Sequence, residues 1–186
     1  MIRYQEKKEA DMGNRLLEEI QYKIDLTKFG TWRRYGYANG ANFEEFKSHT
    51  VLFGLPLVHY TYGRNPETGG RVVAKGILAV GRFACGVIAI GHVAVGLLAI
   101  GQLAVGIGLG FGQFSTGVLA IGQAALGGWF GLGQFATGYI AIGQVAFGQY
   151  VLAQVGKGEF VLSMQRWDPE ALKFFKVIPI IGQWLP

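Results

Sequence analysis

The chain has little cysteine and little proline, and its middle carries almost no charge. It contains 186 residues with one cysteine, Cys85, and 5 prolines, and a lone cysteine excludes an intramolecular disulfide framework. Between Gly76 and Gly156 the single charged side chain is Arg82, although the net charge of the whole chain is +5. The basic residues are therefore divided between the two ends rather than gathered into a phosphate-binding patch. This distribution predicts no nucleic-acid partner.

Signals for export and for catalysis are also missing. The opening segment "MIRYQEKKEADMGNRLLEEI" is charged throughout and lacks the apolar core of a secretory signal, so we expect no signal peptide and a location in the cytoplasm or at the cytoplasmic face of a membrane. The chain has no Gly-x-Ser-x-Gly, phosphate-loop or Cys-x-x-Cys motif, and its three histidines, His49, His59 and His92, are widely separated. The sequence thus predicts a non-enzymatic protein with no catalytic, metal or cofactor site and no small-molecule substrate.

Glycine is abundant, and from Gly76 it recurs at every fifth position. The 30 glycines of the chain include those of units such as GVIAI, GHVAV and GLLAI, which read glycine, any residue, a large apolar residue, alanine and a second apolar residue. Two longer units of six residues, 106–111 and 127–132, lie 21 residues apart. Four five-residue units and one inserted residue account for the spacing of 21 residues. It therefore predicts a four-sided β-solenoid of about 20–21 residues per coil.

Residues at the second position of each unit follow the same count of four. On a four-sided coil, glutamines fall on two opposite sides, where they either form amide ladders along the axis or simply keep those sides soluble. The predicted ladders are Gln102, Gln123 and Gln144 on one side and Gln113, Gln134 and Gln154 on the other. The two remaining sides carry apolar second positions, which we predict as assembly contacts: Leu97, Val118 and Tyr139 on one side, and Val87 and Ile107 on the other.

The repeat unit resembles that of the pentapeptide-repeat family over roughly residues 76–162. That family forms a four-sided, right-handed β-helix from a small inward residue, a polar residue and a large inward residue. In this chain glycine takes the small place and glutamine the polar one. The resemblance implies large inward side chains at Phe83, Leu103, Phe114, Leu119, Phe135, Ile140 and Val145. The segment "GLPLVH" followed by "AKGILAVG" also resembles a group of bacterial proteins with Gly-Ala-Ile repeats.

The segments around the repeat complete a mainly β architecture with helical ends. Asn14 is a suitable N-cap for a helix over "RLLEEIQYKI", and Asp168 with Pro169 begins a second helix over "WDPEALKFFK". The predicted parts of the chain are an N-terminal helical segment (1–30), a turn and short-strand region leading into the solenoid (31–75), the solenoid (76–165), and a capping helix with an apolar tail (166–186).

An uncharged repeat predicts a surface that another molecule must cover, because soluble monomers rarely expose large apolar patches. We expect a structural protein that self-assembles into a filament or sheet-like polymer, through stacking of coil ends and lateral packing of uncharged faces. The alternative is a protein embedded in or bound to a membrane, where lipid covers the same surface. The apolar tail either folds back over the last coil or docks on a neighbouring copy, and its candidate contacts are Ile178, Ile180, Ile181, Trp184 and Leu185.

Overall fold

The computed structural model describes residues 20–183 and residue 185, and it is mainly β with short helical segments near the C-terminal end. One extended stretch of 80 residues makes up most of the repeat. The elements in chain order are β1 (Lys23–Leu26), β2 (Gly30–Gly36), β3 (Asn42–Ser48), β4 (Val51–Leu52), β5 (Leu55–Pro56), β6 (Val58–Tyr62), β7 (Val73–Val80), β8 (Phe83–Leu162), α1 (Pro169–Val177) and α2 (Pro179–Gly182).

The predicted helix over residues 1–30 is not observed. Residues 1–19, which include its proposed N-cap Asn14, lie outside the described part, and Lys23–Leu26 form strand β1 instead. This strand pairs antiparallel with β2, and Asp25 Oδ2 accepts a hydrogen bond from Arg34 of that strand at 2.7 Å. The helical prediction is wrong for these residues because hairpin pairing with the next strand, itself held in the sheet by β3, outweighs a weak local helical preference.

The first strands form an antiparallel sheet that continues into the repeat. Strands β1, β2, β3 and β6 are neighbours in that order, and β6 then pairs in parallel with β7. Phe43 of β3 is fully buried and packs edge-on against Tyr22, whereas Trp32 of β2 packs on Phe46. The sheet therefore has its own aromatic core, and it meets the repeat through β6.

From β7 onward the pairing is parallel and advances ten residues at a time. Val73 pairs with Phe83 and Val80 with Ile90. The same step continues inside β8, where a Cβ atom placed on Gly101 would lie 2.2 Å from the carbonyl oxygen of Gly91. Each ten-residue segment therefore lies on the ten residues before it. We call residues 73–162, which comprise β7, β8 and their short connection, the stack.

This register corrects the predicted coil. A four-sided coil of 20–21 residues requires each residue to lie on the one four units earlier, whereas the observed step is two units. The six-residue units lengthen the step to eleven, since Gly112 lies against Gly101 and Gly133 against Gly122. The distance of 21 residues between the insertions thus spans two segments, one of ten residues and one of eleven.

The buried residue of each unit is the small one at its fourth position. Ala84, Ala94 and Ala104 are at most 2% exposed, and they form one cluster with the alanines five residues away, such as Ala89 and Ala99. Two rows of small side chains therefore pack together in the interior, with serine or valine replacing alanine at Ser115, Val151 and Val161. The residues on either side of a buried position point outward, because side chains alternate along an extended strand.

The large residues at the third position are accordingly not inside. The resemblance to pentapeptide repeats placed seven of them inward, and six are 37–40% exposed: Phe83, Leu103, Phe114, Leu119, Phe135 and Val145. The seventh, Ile140, is partly buried, but it packs against the C-terminal helices rather than in the stack interior. The predicted inward set is wrong because the fourth-position residues, mostly alanine, fill the interior and the third-position side chains point away from it.

The C-terminal helix is confirmed, and it folds back on the stack. The Asp168 side chain accepts a hydrogen bond from the Glu170 backbone N–H at 2.9 Å, and Pro169 occupies the first helical turn. Phe175 is fully buried, in a cluster with Leu162 and partly buried residues of the last segments. Neither helix among the described residues has the length and apolar content that crossing a membrane requires.

Candidate assembly surface

One side of the stack presents the apolar second-position residues in a single column, which we call the apolar face. Val87, Leu97, Ile107, Val118 and Tyr139 are 39–75% exposed. The sequence prediction divided them between two sides, but a step of ten or eleven residues brings them into one column. Their predicted exposure is observed; their division between two sides is wrong, since the parallel register places every second unit on the same side.

Trp129, which lies in the six-residue unit 127–132, is a further member of this column. Trp129 is 56% exposed, and its ring stacks on Tyr139 with centroids 5.0 Å apart and an interplanar angle of 17°. When the units are aligned on their first glycine, Trp129 does not fall at the second position of its six-residue unit. The repeat pattern therefore does not predict Trp129 on the surface. Its place one segment before Tyr139 makes the aromatic pair the widest part of the apolar face.

The opposite side of the stack, the glutamine face, carries a polar column beside an apolar one. Both columns line one shallow groove of about 830 Å³. The polar column is Arg82, His92, Gln102, Gln113, Gln123, Gln134 and Gln144, and the apolar column is Phe83, Val93, Leu103, Phe114, Ala124, Phe135 and Val145. The predicted separation of the glutamines onto opposite sides is therefore wrong, because every second unit returns to this face. Gln154, ten residues after Gln144, is exposed in the same register.

The glutamines form a column without an amide ladder. Among residues 20–183, no side-chain hydrogen bond joins Gln102, Gln113 or another member of the column to the next; a side-chain bond between successive segments occurs instead between Gln149 and Glu159, outside this column. Of the two interpretations of the glutamines, the geometry favours a polar, solvated row. Their amides remain free to bond with water or with another chain.

Both ends of the stack have their exposed backbone partly covered. At the beginning, β6 pairs with β7 from Val58–Leu78 to Tyr60–Val80. At the end, Arg166 donates a hydrogen bond from its guanidinium to the Glu159 carbonyl oxygen at 2.8 Å, and the Asp168 N–H donates to the Val161 carbonyl oxygen at 3.1 Å. Covered strand edges recruit other chains less readily than open ones.

The candidate contacts of the apolar tail lie against the chain itself where they are described. Ile178, Ile181 and Leu185 pack, partly buried, beside Tyr150 and Phe160 of the stack. The side chain of Ile180 and residue Trp184 lie outside what the structure describes. The described part of the tail thus adopts the folded-back arrangement, packed with α1 in the cluster that contains Leu162 and Phe175.

A buried ionic network joins the first sheet to the stack. Glu45 of β3 is 4% exposed; its Oε1 accepts from His59 Nε2 at 3.0 Å, and its Oε2 from Arg33 at 2.8 Å. The Lys75 backbone N–H donates to His59 Nδ1 at 2.8 Å, which leaves the ring proton on Nε2. The hydrogen bond from His59 lowers the pKa of Glu45 to about 2, and Lys47 and Arg33 act in the same direction against the opposing effect of burial.

Glu45→Gln should lower the stability at neutral pH by about 3 kcal/mol, because it leaves buried donors without a charged acceptor. A carboxyl whose pKa is lower in the folded state stabilises the protein above its unfolded pKa near 4.5, and this contribution disappears as the pH falls toward 2. Urea unfolding between pH 7 and 2 should therefore show a steeper loss for the wild type than for the variant. Glu44→Gln, on the same strand, is the control and should keep the wild-type slope; an equal slope in Glu45→Gln would contradict the prediction.

The local sequence does not predict the His59 network, because the partners of His59 lie 14 and 16 positions away. Among the described residues, no group of three histidine, cysteine or acidic side chains is placed to hold a metal ion. The features that stand out from ordinary packing are thus the two faces of the stack. Comparison of the chain with protein-family models, with curated proteins and with solved structures gives no match.

Proposed function

We propose that this chain is a non-enzymatic structural protein that self-assembles by lateral packing of the two faces of a flat β-solenoid with ten residues per coil. The observation that carries the proposal is the exposure of large apolar side chains in columns on both faces of a stack that is almost free of charge. Leu97 is 48% exposed, Val118 52% and Phe114 40%. Monomeric soluble proteins rarely leave apolar surface of this extent uncovered.

The columns of exposed apolar side chains are regularly spaced, so they suit a repeating contact with another copy of the chain. Adjacent segments of a parallel ladder lie about 4.8 Å apart, so equivalent side chains recur at that interval along each face. Two such faces can interdigitate in the manner of dry interfaces between stacked sheets. Uncharged rows also oppose this approach less than charged rows would, since burial of unpaired charge is costly.

A second copy of the chain fits this surface better than a membrane does. A lipid surface would cover one face of a flat stack and leave the other in water, whereas copies of the chain can cover both. Within residues 76–156 the single charge, Arg82, gives little attraction to anionic lipid. A sheet-like assembly of copies therefore accounts for both faces.

The ends of the stack make lateral contact the main direction of growth. β6 and its sheet occupy the beginning of the stack, and Arg166 with Asp168 caps carbonyl groups at its end. α1 covers the last segments of the apolar face around Tyr150. Growth by coil stacking, which the sequence also suggested, would require these caps to open. The proposal therefore places the contacts on the open part of the apolar face, up to Trp129, and on the glutamine face.

The test is negative-stain electron microscopy and sedimentation of protein purified without detergent. We expect sheets or laterally associated filaments from the wild type and loss of pelleting from the double variant Leu97→Lys/Val118→Lys, because two charges would be buried in the contact. Met164→Lys is the control, since Met164 is 85% exposed and lies outside both faces. Circular dichroism must show that all variants remain folded.

Three outcomes would count against self-assembly. A monodisperse wild-type monomer at high concentration would overturn the proposal. Assembly of Leu97→Lys/Val118→Lys at the wild-type level would remove the apolar face from the contact. Recovery only with detergent, together with pelleting on phosphatidylcholine vesicles, would favour the membrane alternative.

A further inference from the structure

A second groove, of about 900 Å³, lies where the first sheet meets the start of the stack. The β2–β3 turn, the end of β6, the loop before β7 and the first corners of the stack form its walls. Its side chains include Arg64, Arg71, Arg82 and His92, and no acidic residue lines it. This groove is separate from the apolar face but shares Arg82 and His92 with the glutamine face, and Arg82 is the one charged residue between Gly76 and Gly156.

The arginines of this groove differ from the others in the described part of the chain. Arg33 is paired with Glu45, Arg34 with Asp25 and Arg166 with Asp168, at 2.7–3.3 Å. By contrast, among residues 20–183 and 185 no acidic side chain pairs with any of the three groove arginines. All the described arginines without an acidic partner therefore line one groove. All three are exposed, so their guanidinium groups are available to an anion that enters the groove.

The remaining lining fits an anion that carries an organic group. Tyr37, Tyr60 and Tyr62 supply ring surfaces and hydroxyl groups, and Asn39 and Asn42 supply amides. The hydroxyl of Tyr37 donates to the Arg64 carbonyl oxygen at 2.7 Å, which ties the wall that carries Arg64 to the β2–β3 turn. The volume exceeds what a bare inorganic ion fills, so the tyrosines are available to contact an attached group.

We propose that this groove binds a phosphate group, held by Arg64, Arg71 and Arg82. Guanidinium groups match phosphate oxygens with paired hydrogen bonds, and three of them can neutralise a dianionic monoester. The group reaches the site either on a soluble phosphomonoester or as the headgroup of an anionic lipid. The same chemistry recognises both, and the site adjoins the glutamine face because Arg82 and His92 belong to both.

The first test is calorimetric titration of the full chain with phenyl phosphate and with inorganic phosphate, at constant ionic strength against chloride. We expect saturable binding of phenyl phosphate, and an affinity about tenfold weaker or worse in Arg71→Gln/Arg82→Gln. Lys157→Gln/Lys176→Gln removes the same charge elsewhere and should bind as the wild type does. Circular dichroism checks that each variant is folded.

Vesicle sedimentation distinguishes the two sources of phosphate. Retention on phosphatidic acid vesicles but not on phosphatidylcholine, reversed by phenyl phosphate, would identify a lipid headgroup. Saturable phenyl phosphate binding without vesicle retention would identify a soluble ester. Absence of binding to all probes would overturn the proposal, as would equal affinity in the arginine variant and the wild type.

Discussion

Replacing Ala104 with leucine should destabilise the stack by about 3 kcal/mol or more, as expected when large side chains enter a core with no free space. Ala104 is fully buried in one cluster with the neighbouring alanines of both rows. A leucine there has to push the two rows apart, and parallel hydrogen bonds above and below resist that movement. Urea unfolding followed by circular dichroism would measure the loss.

The adjacent residue provides a control that also tests the winding. Leu103 is 37% exposed, so Leu103→Ala should cost less than about 1 kcal/mol when measured on the monomer. A four-sided coil with Leu103 inside predicts the opposite order, because truncation of a buried leucine costs about 2–5 kcal/mol. If Leu103→Ala proved more damaging than Ala104→Leu, the ten-residue register would be contradicted.

Gly101→Ala should be the second severe substitution, with a loss of about 3 kcal/mol in the free energy of unfolding. The added Cβ would lie 2.2 Å from the carbonyl oxygen of Gly91 and 3.2 Å from its carbonyl carbon. Both are backbone atoms within the parallel stack, so relief requires one segment to move away from the next. Thermal and urea unfolding would detect the change.

Gly128→Ala is the matched control inside the same repeat. Its added Cβ has no neighbour closer than 3.9 Å, and its backbone is not in the left-handed region. The effect should stay within about 0.5 kcal/mol, with a small gain because alanine restricts the unfolded chain. Equal losses in Gly101→Ala and Gly128→Ala would show that the glycines act through something other than close contact between segments.

The sequence carries a pattern that matches the ten-residue parallel register. Second positions alternate between polar and apolar along the repeat, as in His92, Leu97 and Gln102, and this alternation has a period of two units. A four-sided coil accommodates the same pattern by dividing each set between two sides. Both windings satisfy the five-residue period, so the period alone leaves the number of units per coil open.

The first sheet also shows that local sequence patterns do not determine which strands pair. The sequence predicts a helix over "RLLEEIQYKI", yet Ile24 at its end belongs to a strand that pairs with β2. The Glu45–His59 network and the three-arginine groove join residues far apart in the chain. Neither follows from local pattern, because strand register is a long-range property.

By itself, the sequence determined what depends on neighbours in the chain: a mainly β protein, the five-residue unit, the absence of charge from the repeat and the helix that begins after Asp168. The tertiary structure decided which residue of each unit is buried and which units share a face. The physical reason is the size of the interior. The interior holds alanine in most units and serine or valine at Ser115, Val151 and Val161, so the large third-position side chains face outward.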